Sequence, residues 1–300
     1  MHIDPYIVLG SAVVGLLVGM TGAGGGALMT PMLILLFSVT PAAAISSDLV
    51  ASVVMRPIGA AVHLRAGTVN RKLVMLMASG SVPAAILGSY LLSVMGNSKG
   101  DVKHIEVILG TALLIGAAAM VLRYALDRRA REARGDLIHE ITPRPLVTVL
   151  IGVVGGVIVG MTSVGAGSLM VILLLFVYPR ISAKQLVGTD LTQAVPLTLS
   201  AAVGALIFGH VQFGLTGSLI IGSVPAVFIG SLLSSSVPDR YIRPVIAFVI
   251  LASGLKYVGL GTSELGWTLF GLLLVGAGVV TYELRHGPKP AGGNPGVPAA

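Results

Sequence analysis

"GMTGAGGGALM", residues 19–29, interrupts a run without a charged side chain that extends from residue 6 to residue 47. As one straight helix, residues 6–37 would be ~48 Å long at 1.5 Å per residue, against a bilayer hydrocarbon core of ~30 Å. Gly22, Gly24, Gly25 and Gly26 stand in the middle of that segment, where each glycine costs a helix about 1 kcal/mol relative to alanine. The segment therefore reads as two half-helices joined by a break. A near-copy, "GMTSVGAGSLM" at 160–170, interrupts a second uncharged run, 145–179. The break is a repeated element, not a local accident.

The surrounding composition sets the solvent. Hydrophobic residues make up 55% of the chain and charged residues 10%, where a soluble domain carries about 25% charged. Further uncharged runs lie at 73–98, 107–122, 191–238, 244–255 and 265–282. Together the runs supply roughly eight or nine segments of bilayer-spanning length. They are apolar on all sides, unlike the alternating strands of a membrane barrel. The expected class is an all-α polytopic membrane protein. The net charge of +7 matches the Lys and Arg that gather in cytoplasmic loops. No basic patch is interleaved with stacking aromatics, which argues against nucleic acid. The absence of cysteine removes disulfides, thiolate metal sites and cysteine nucleophiles; no metal or cofactor is expected. The first segment lacks a basic flank and is too long for a signal peptide, so it is expected to stay in the protein.

The two breaks belong to a longer internal repeat. Under a shift of 141, Gly15, Gly19, Met20, Thr21, Gly24, Gly26, Leu28 and Met29 fall on Gly156, Gly160, Met161, Thr162, Gly165, Gly167, Leu169 and Met170. Under a shift of 142, "SDL" at 47–49 falls on "TDL" at 189–191, and "GSVPA" at 80–84 recurs unchanged at 222–226. The expected organisation is a first membrane repeat, 1–126, a basic cytoplasmic linker, 127–144, and a second repeat, 145–261. An extra transmembrane helix, 262–285, and a disordered Pro/Gly-rich tail, 286–300, follow. Each repeat holds about four helical segments. Duplicated membrane halves are a transporter architecture.

Charge decides the orientation. If 145–177 forms a re-entrant hairpin, fifteen Lys and Arg fall in loops on one side, and only Lys99, Lys103 and Lys256 on the other. If it crosses once, the division becomes ten against eight. The positive-inside rule favours the hairpin. The uncharged turn 209–214 then lies outside while its counterpart 65–72 lies inside, so the repeats are inverted. By symmetry each repeat opens with a broken, re-entrant hairpin. The linker 127–144 and the C-terminus are expected to be cytoplasmic.

Broken helices at membrane depth present unpaired N–H groups and the positive end of a helix dipole, which suits an anion. Each second half-helix, starting near Gly26 and Gly167, aims its N-terminus at the midplane. The expected substrate site therefore comprises Thr21, Gly22, Gly24, Gly25 and Gly26 from the first break and Thr162, Ser163, Gly165 and Gly167 from the second. Arg56 joins them as the basic residue well inside a span, and Gln193 as a cavity-lining side chain. The bland alternatives are close helix packing by the glycines, and for Arg56 a carbonyl freed by Pro57. Asp48 and Asp190 occupy matching positions. They are expected either to cap helix N-termini or to couple or gate transport. His63 is expected to be structural. A hydrolase built on Ser163 would need a histidine base, and the histidines fall near segment ends; no Walker motif is present.

These motifs carry a family resemblance. The glycine break, the "SSDL" step and "GSVPAAILGS", all echoed in the second half, resemble the TauE/SafE-type sulfite exporters of the 4-toluene sulfonate uptake permease superfamily. The resemblance spans nearly the whole chain apart from the tail. It implies a bacterial inner-membrane permease, not an enzyme, for sulfur-containing oxyanions such as sulfite or organosulfonates. The implied partners are the small anion, the lipid bilayer and, as an option, a second copy of the chain. The alternative within this fold is a passive anion channel. The second break reads "TSVGAG" where the first reads "TGAGGG", so the two half-sites differ.

Overall fold

A computed structural model describes residues 3–21, 25–65, 67–96, 102–133, 142–165, 167, 169–179, 181–233, 239–261, 264 and 268. Ten helices run through these residues: α1 (Pro5–Thr21), α2 (Gly26–Phe37), α3 (Pro41–Arg65), α4 (Arg71–Gly96), α5 (Val102–Ala133), α6 (Pro145–Thr162), α7 (Leu169–Val177), α8 (Ala183–Phe208), α9 (Phe213–Leu233) and α10 (Asp239–Tyr257). Six are long and apolar enough to cross a membrane, in α3, α4, α5, α6, α8 and α9. Leu9, Leu36, Leu146, Phe176 and Leu232 are exposed, while Ser47, Ser52, Ser81, Thr198 and Ser223 are buried. Lipid on the outside and polar side chains within is the arrangement an apolar solvent requires. The chain is an all-α polytopic membrane protein.

The breaks fall where the glycines predict them. α1 stops at Thr21 and α2 starts at Gly26; α6 stops at Thr162 and α7 starts at Leu169. Local backbone explains the second break. Ser163 turns left-handed at φ 58° and donates its N–H to the Val159 carbonyl at 2.7 Å. Gly165 and Gly167 follow at φ +109° and +113°, a region open to glycine and strained for other residues. The chain then doubles back. Tyr178, just past α7, places its Oη 2.6 Å from Thr148 Oγ1 and accepts the Arg144 N–H at 2.7 Å. Both ends of the α6–break–α7 unit therefore meet. In the first repeat a Cβ on Gly10 of α1 would lie 2.9 Å from Met32 Sδ of α2.

The two halves are interlocked. The most extensive packing joins α1 to α9 and α4 to α6, so each half supplies the partner of the other's first helix. Glycine makes these interfaces close. A Cβ on Gly15 would lie 2.8 Å from Ser223 Cα, and one on its repeat mate Gly156 would lie 2.8 Å from Ser81 Cα. On Gly19 it would meet the Ser231 nitrogen at 3.0 Å, and on Gly160 the Ser89 nitrogen at 3.0 Å. Small residues that bring backbones together are the usual device where lipid offers no hydrophobic drive. The matching helices α3 and α8 lie antiparallel. Ser47, early in α3, accepts the Gln212 N–H beyond the end of α8 at 3.1 Å. Thr189, early in α8, accepts the Asn70 N–H beyond the end of α3, also at 3.1 Å.

Two expectations change. Asp48 and Asp190 are not N-caps. Each sits seven residues past the first residue of its helix, Pro41 or Ala183. Pro41 suits a first helical position, so α3 starts earlier than its carboxylate suggests. The cap of α8 is Ser182, which accepts the Gln185 N–H at 3.2 Å. Second, α5 continues to Ala133, past residue 126 and into the segment expected to be linker. Residues up to Gly259 form one compact unit that contains both halves. Beyond it, Thr268 Oγ1 donates to the Glu264 carbonyl at 2.6 Å. The remainder of the expected C-terminal helix, the tail 286–300, and Gly22 and Gly24 lie outside the described residues.

Candidate functional site

The two breaks meet at one point. A Cβ on Gly26 would strike the Ser163 carbonyl oxygen and lie 2.7 Å from Ser163 Oγ. The N-terminus of α2 thus rests on the C-terminal cap of α6, with no side chain between them. Close approach, not a special φ, is what demands glycine at 26. Gly25 is right-handed at φ −56° and supplies no side-chain cap to α2; its carbonyl accepts the Leu28 and Met29 N–H groups at 3.1 and 2.9 Å. Among the described residues, a Cβ on Gly25 would meet only the tip of Met55, at 3.4 Å.

Asp48 closes this junction from α3. Its side chain is fully buried, and its Oδ2 accepts from Ser163 Oγ at 2.7 Å and from Thr30 Oγ1 at 3.1 Å. Oδ1 is buried with no hydrogen-bond partner. One carboxylate oxygen therefore ties three elements together: α2, α3 and the α6 cap. Arg56 is further along α3, within Coulombic range of both Asp48 and Asp190. Its Nε and Nη2 are buried and make no hydrogen bond. The carbonyl freed by Pro57 does not hold them. Asp190 is 2% exposed and faces the same cation from α8.

Other expected site residues stand differently. Thr21 and Thr162 donate their hydroxyls back to their own helices, to the Leu17 carbonyl at 2.7 Å and the Ile158 carbonyl at 2.6 Å. Those hydrogens are committed, as i−4 back-bonding predicts for helix threonines. The Ser163 hydroxyl crosses to the opposite repeat, where it reaches Asp48. Gln193 is fully buried and donates to Ser81 Oγ at 2.7 Å, fastening α8 to α4. Gly165 and Gly167 shape the turn itself. His63 contacts Thr68 Oγ1 at 3.0 Å through Nδ1, the structural role expected. Thr30 was not anticipated. It sits in an apolar run eighteen residues before Asp48, and nothing local in the sequence marks the pair.

Helices broken against one another, around buried ionisable groups, define a polytopic membrane protein of the transporter class. The Sulfite exporter TauE/SafE family model matches residues 7–257, and the chain belongs to that family. It is 40% identical over 256 residues to the Bacillus subtilis "Probable membrane transporter protein YjnA", covering 84% of this chain and 98% of that protein. Two further proteins of the same organism are more distant. YdhB is 22% identical over 209 residues, 70% of this chain and 81% of its own length. YunE is 25% identical over 225 residues, 69% and 81% respectively. Both are also termed probable membrane transporter proteins. No solved structure matches the chain. Family membership makes this protein a membrane transporter and not an enzyme.

Proposed function

We propose that the chain is a secondary transporter for small sulfur-containing oxyanions, sulfite or organosulfonates, bound between the two broken helices. One observation carries this: Arg56 keeps Nε and Nη2 buried and without a hydrogen-bond partner. Guanidinium donors left without acceptors in a low-dielectric interior are costly, and an oxyanion would supply the missing acceptors. The start of α2, which has no side-chain cap, adds the positive end of a helix dipole. In this proposal Thr21, Thr162, Gly165, Gly167 and Gln193 form the walls of the path, while Gly22 and Gly24, outside the described residues, belong to the site by sequence alone.

In this proposal the repeats 1–126 and 145–261 are inverted and joined by the cytoplasmic linker 127–144. Several observations support it: the antiparallel run of α3 and α8, the closed ends of the α6–α7 unit, and the asymmetry of Lys and Arg. Rocking of one repeat against the other would then open the site to each side in turn. Asp48 and Asp190 place two carboxylates beside one guanidinium, so an incoming anion adds to an excess of negative charge. A proton or other cation moving with the anion relieves that excess.

The test is uptake of radiolabelled sulfite and of a small sulfonate into proteoliposomes, with and without a pH gradient. Saturable uptake with counterflow is expected, and Asp190→Asn is expected to abolish gradient-driven flux while sparing exchange. Unitary currents without counterflow would instead make the protein an anion channel of the same fold.

A further inference from the structure

We infer that the Asp48 carboxylate is a latch that holds the two broken helices together through Thr30 and Ser163, and that only one of the two gates carries it. The latch also uses a donor the substrate needs. It rests on the anion site proposed above for its trigger, but not for its existence.

The geometry comes first. Asp48 Oδ2 takes hydrogen bonds from Thr30 on α2 and from Ser163 at the cap of α6. Both donors belong to broken helices, one from each repeat. Any motion that separates α2 from the α6 cap must break at least one of these bonds. Hydrogen bonds to a charged group are the strong class, and this carboxylate is fully buried, so water does not replace the lost donor. Gly26 lies against the Ser163 carbonyl, so the tie sits at the contact between the breaks and not at its edge.

The repeat shows that the device is single. Asp48 corresponds to Asp190, Ser163 corresponds to Gly22 and Thr30 corresponds to Val171. Neither Gly22 nor Val171 has a hydroxyl. Whatever Asp190 bonds to, the same tie cannot be made there. The pseudo-equivalent gates therefore differ in the free energy needed to open them, which biases the resting protein toward the conformation with the Asp48 tie closed.

The chemistry of release follows. A carboxylate and a sulfonate are both oxyanions that accept from hydroxyls. An anion arriving at the start of α2 competes with Asp48 for the Ser163 hydroxyl. Asp48 is thus an internal stand-in for the substrate, and its displacement couples binding to opening.

The chain has no cysteine, so a single reporter is clean. Met55 is 4% exposed and lies behind Gly25. A Met55→Cys protein in detergent is treated with a maleimide, and the alkylation rate is measured. Thr30→Val installs the side chain that the second repeat already uses. It is expected to raise the rate about ten- to hundredfold, the equivalent of one lost hydrogen bond to a charged group, and Ser163→Ala similarly. Thr198→Val removes a buried hydroxyl that bonds within α8 and is expected to leave the rate unchanged. Methanesulfonate, which does not consume maleimide, is expected to raise the rate in the parent. Unchanged rates in both Thr30→Val and Ser163→Ala, with melting temperatures held, would overturn the latch. An equal rise in Thr198→Val would overturn it too, by showing general loosening. Faster alkylation in the latch variants with no response to methanesulfonate sustains the latch and removes the sulfonate trigger.

Discussion

Replacing Gly26 by alanine tests the meeting of the two breaks directly. The new Cβ would lie 2.6 Å from the Ser163 carbonyl carbon and 2.7 Å from its Oγ, and nearer still to its carbonyl oxygen. Ordinary contact starts at 3.4 Å, so the α6 cap has to withdraw by more than an ångström. These are mainly backbone atoms of a left-handed residue, and they cannot rotate aside as a side-chain tip would. Overpacking of this kind costs about 1–3 kcal/mol. Withdrawal also stretches the bond from Ser163 to Asp48, and losing a hydrogen bond to a charged group costs about 1.5–3 kcal/mol. The sum, about 3–6 kcal/mol, lowers the melting temperature by roughly 6–24 °C at about 2–4 °C per kcal/mol. Gly25→Ala is the comparison, because among the described residues its Cβ meets only a methionine methyl, at 3.4 Å. That variant is expected to melt within about 4 °C of the parent. Thermal unfolding of the purified proteins in one detergent reads both. If Gly26→Ala melts with the parent, or Gly25→Ala falls equally far, the breaks do not bear on each other as described.

Arg56 is expected to act by charge and fork geometry. Arg56→Gln should weaken anion binding by about 1–3 kcal/mol, or roughly ten- to hundredfold, while Arg56→Lys keeps part of it because a point charge persists; titration of a sulfonate into purified protein checks this, and normal binding by the glutamine variant would remove Arg56 from the site. Orientation is read by cysteines at Gln212 and Asn70, which flank the same antiparallel helix pair. An impermeant maleimide added outside intact cells should label the first and spare the second, and labelling of both from one side would end the inverted arrangement.

Much of the architecture is legible in the chain because it is written twice. The glycine breaks are visible against apolar segments too long for a bilayer, and the repeat marks Gly15, Gly19, Gly156 and Gly160 as a matched set. The structure uses that set for close packing of α1 on α9 and α6 on α4. The site is less legible, because its contacts cross between helices. Asp48 resembles a helix cap only while the start of α3 is placed too late; with the helix begun at Pro41, the carboxylate is interior and needs donors from elsewhere. Those donors, Thr30 and Ser163, lie in different repeats. No periodicity in one segment can pair them. Arg56 likewise lacks a charged neighbour at helical spacing, and meets Asp190 only through the packing of α3 and α8.

The exchange of first helices between halves has a consequence for how the protein is made. α4 and α6 are close in the chain, and the Ser89 hydroxyl reaches the Gly160 carbonyl across 71 residues at 3.5 Å. At about 5–20 residues per second, that partner emerges after roughly 4–14 s. α1 waits much longer. Its Ser11 hydroxyl is bonded to the Ser218 carbonyl at 3.4 Å, 207 residues away, so roughly 10–40 s of synthesis separate the two. Throughout that interval the groove of Gly15 and Gly19 has no α9 to fill it. A molecule whose two halves make matching contacts is therefore assembled asymmetrically. Its first helix, not its sixth, is the one that membrane insertion machinery has to shelter, and a chain stopped before Phe213 leaves that helix without its mate.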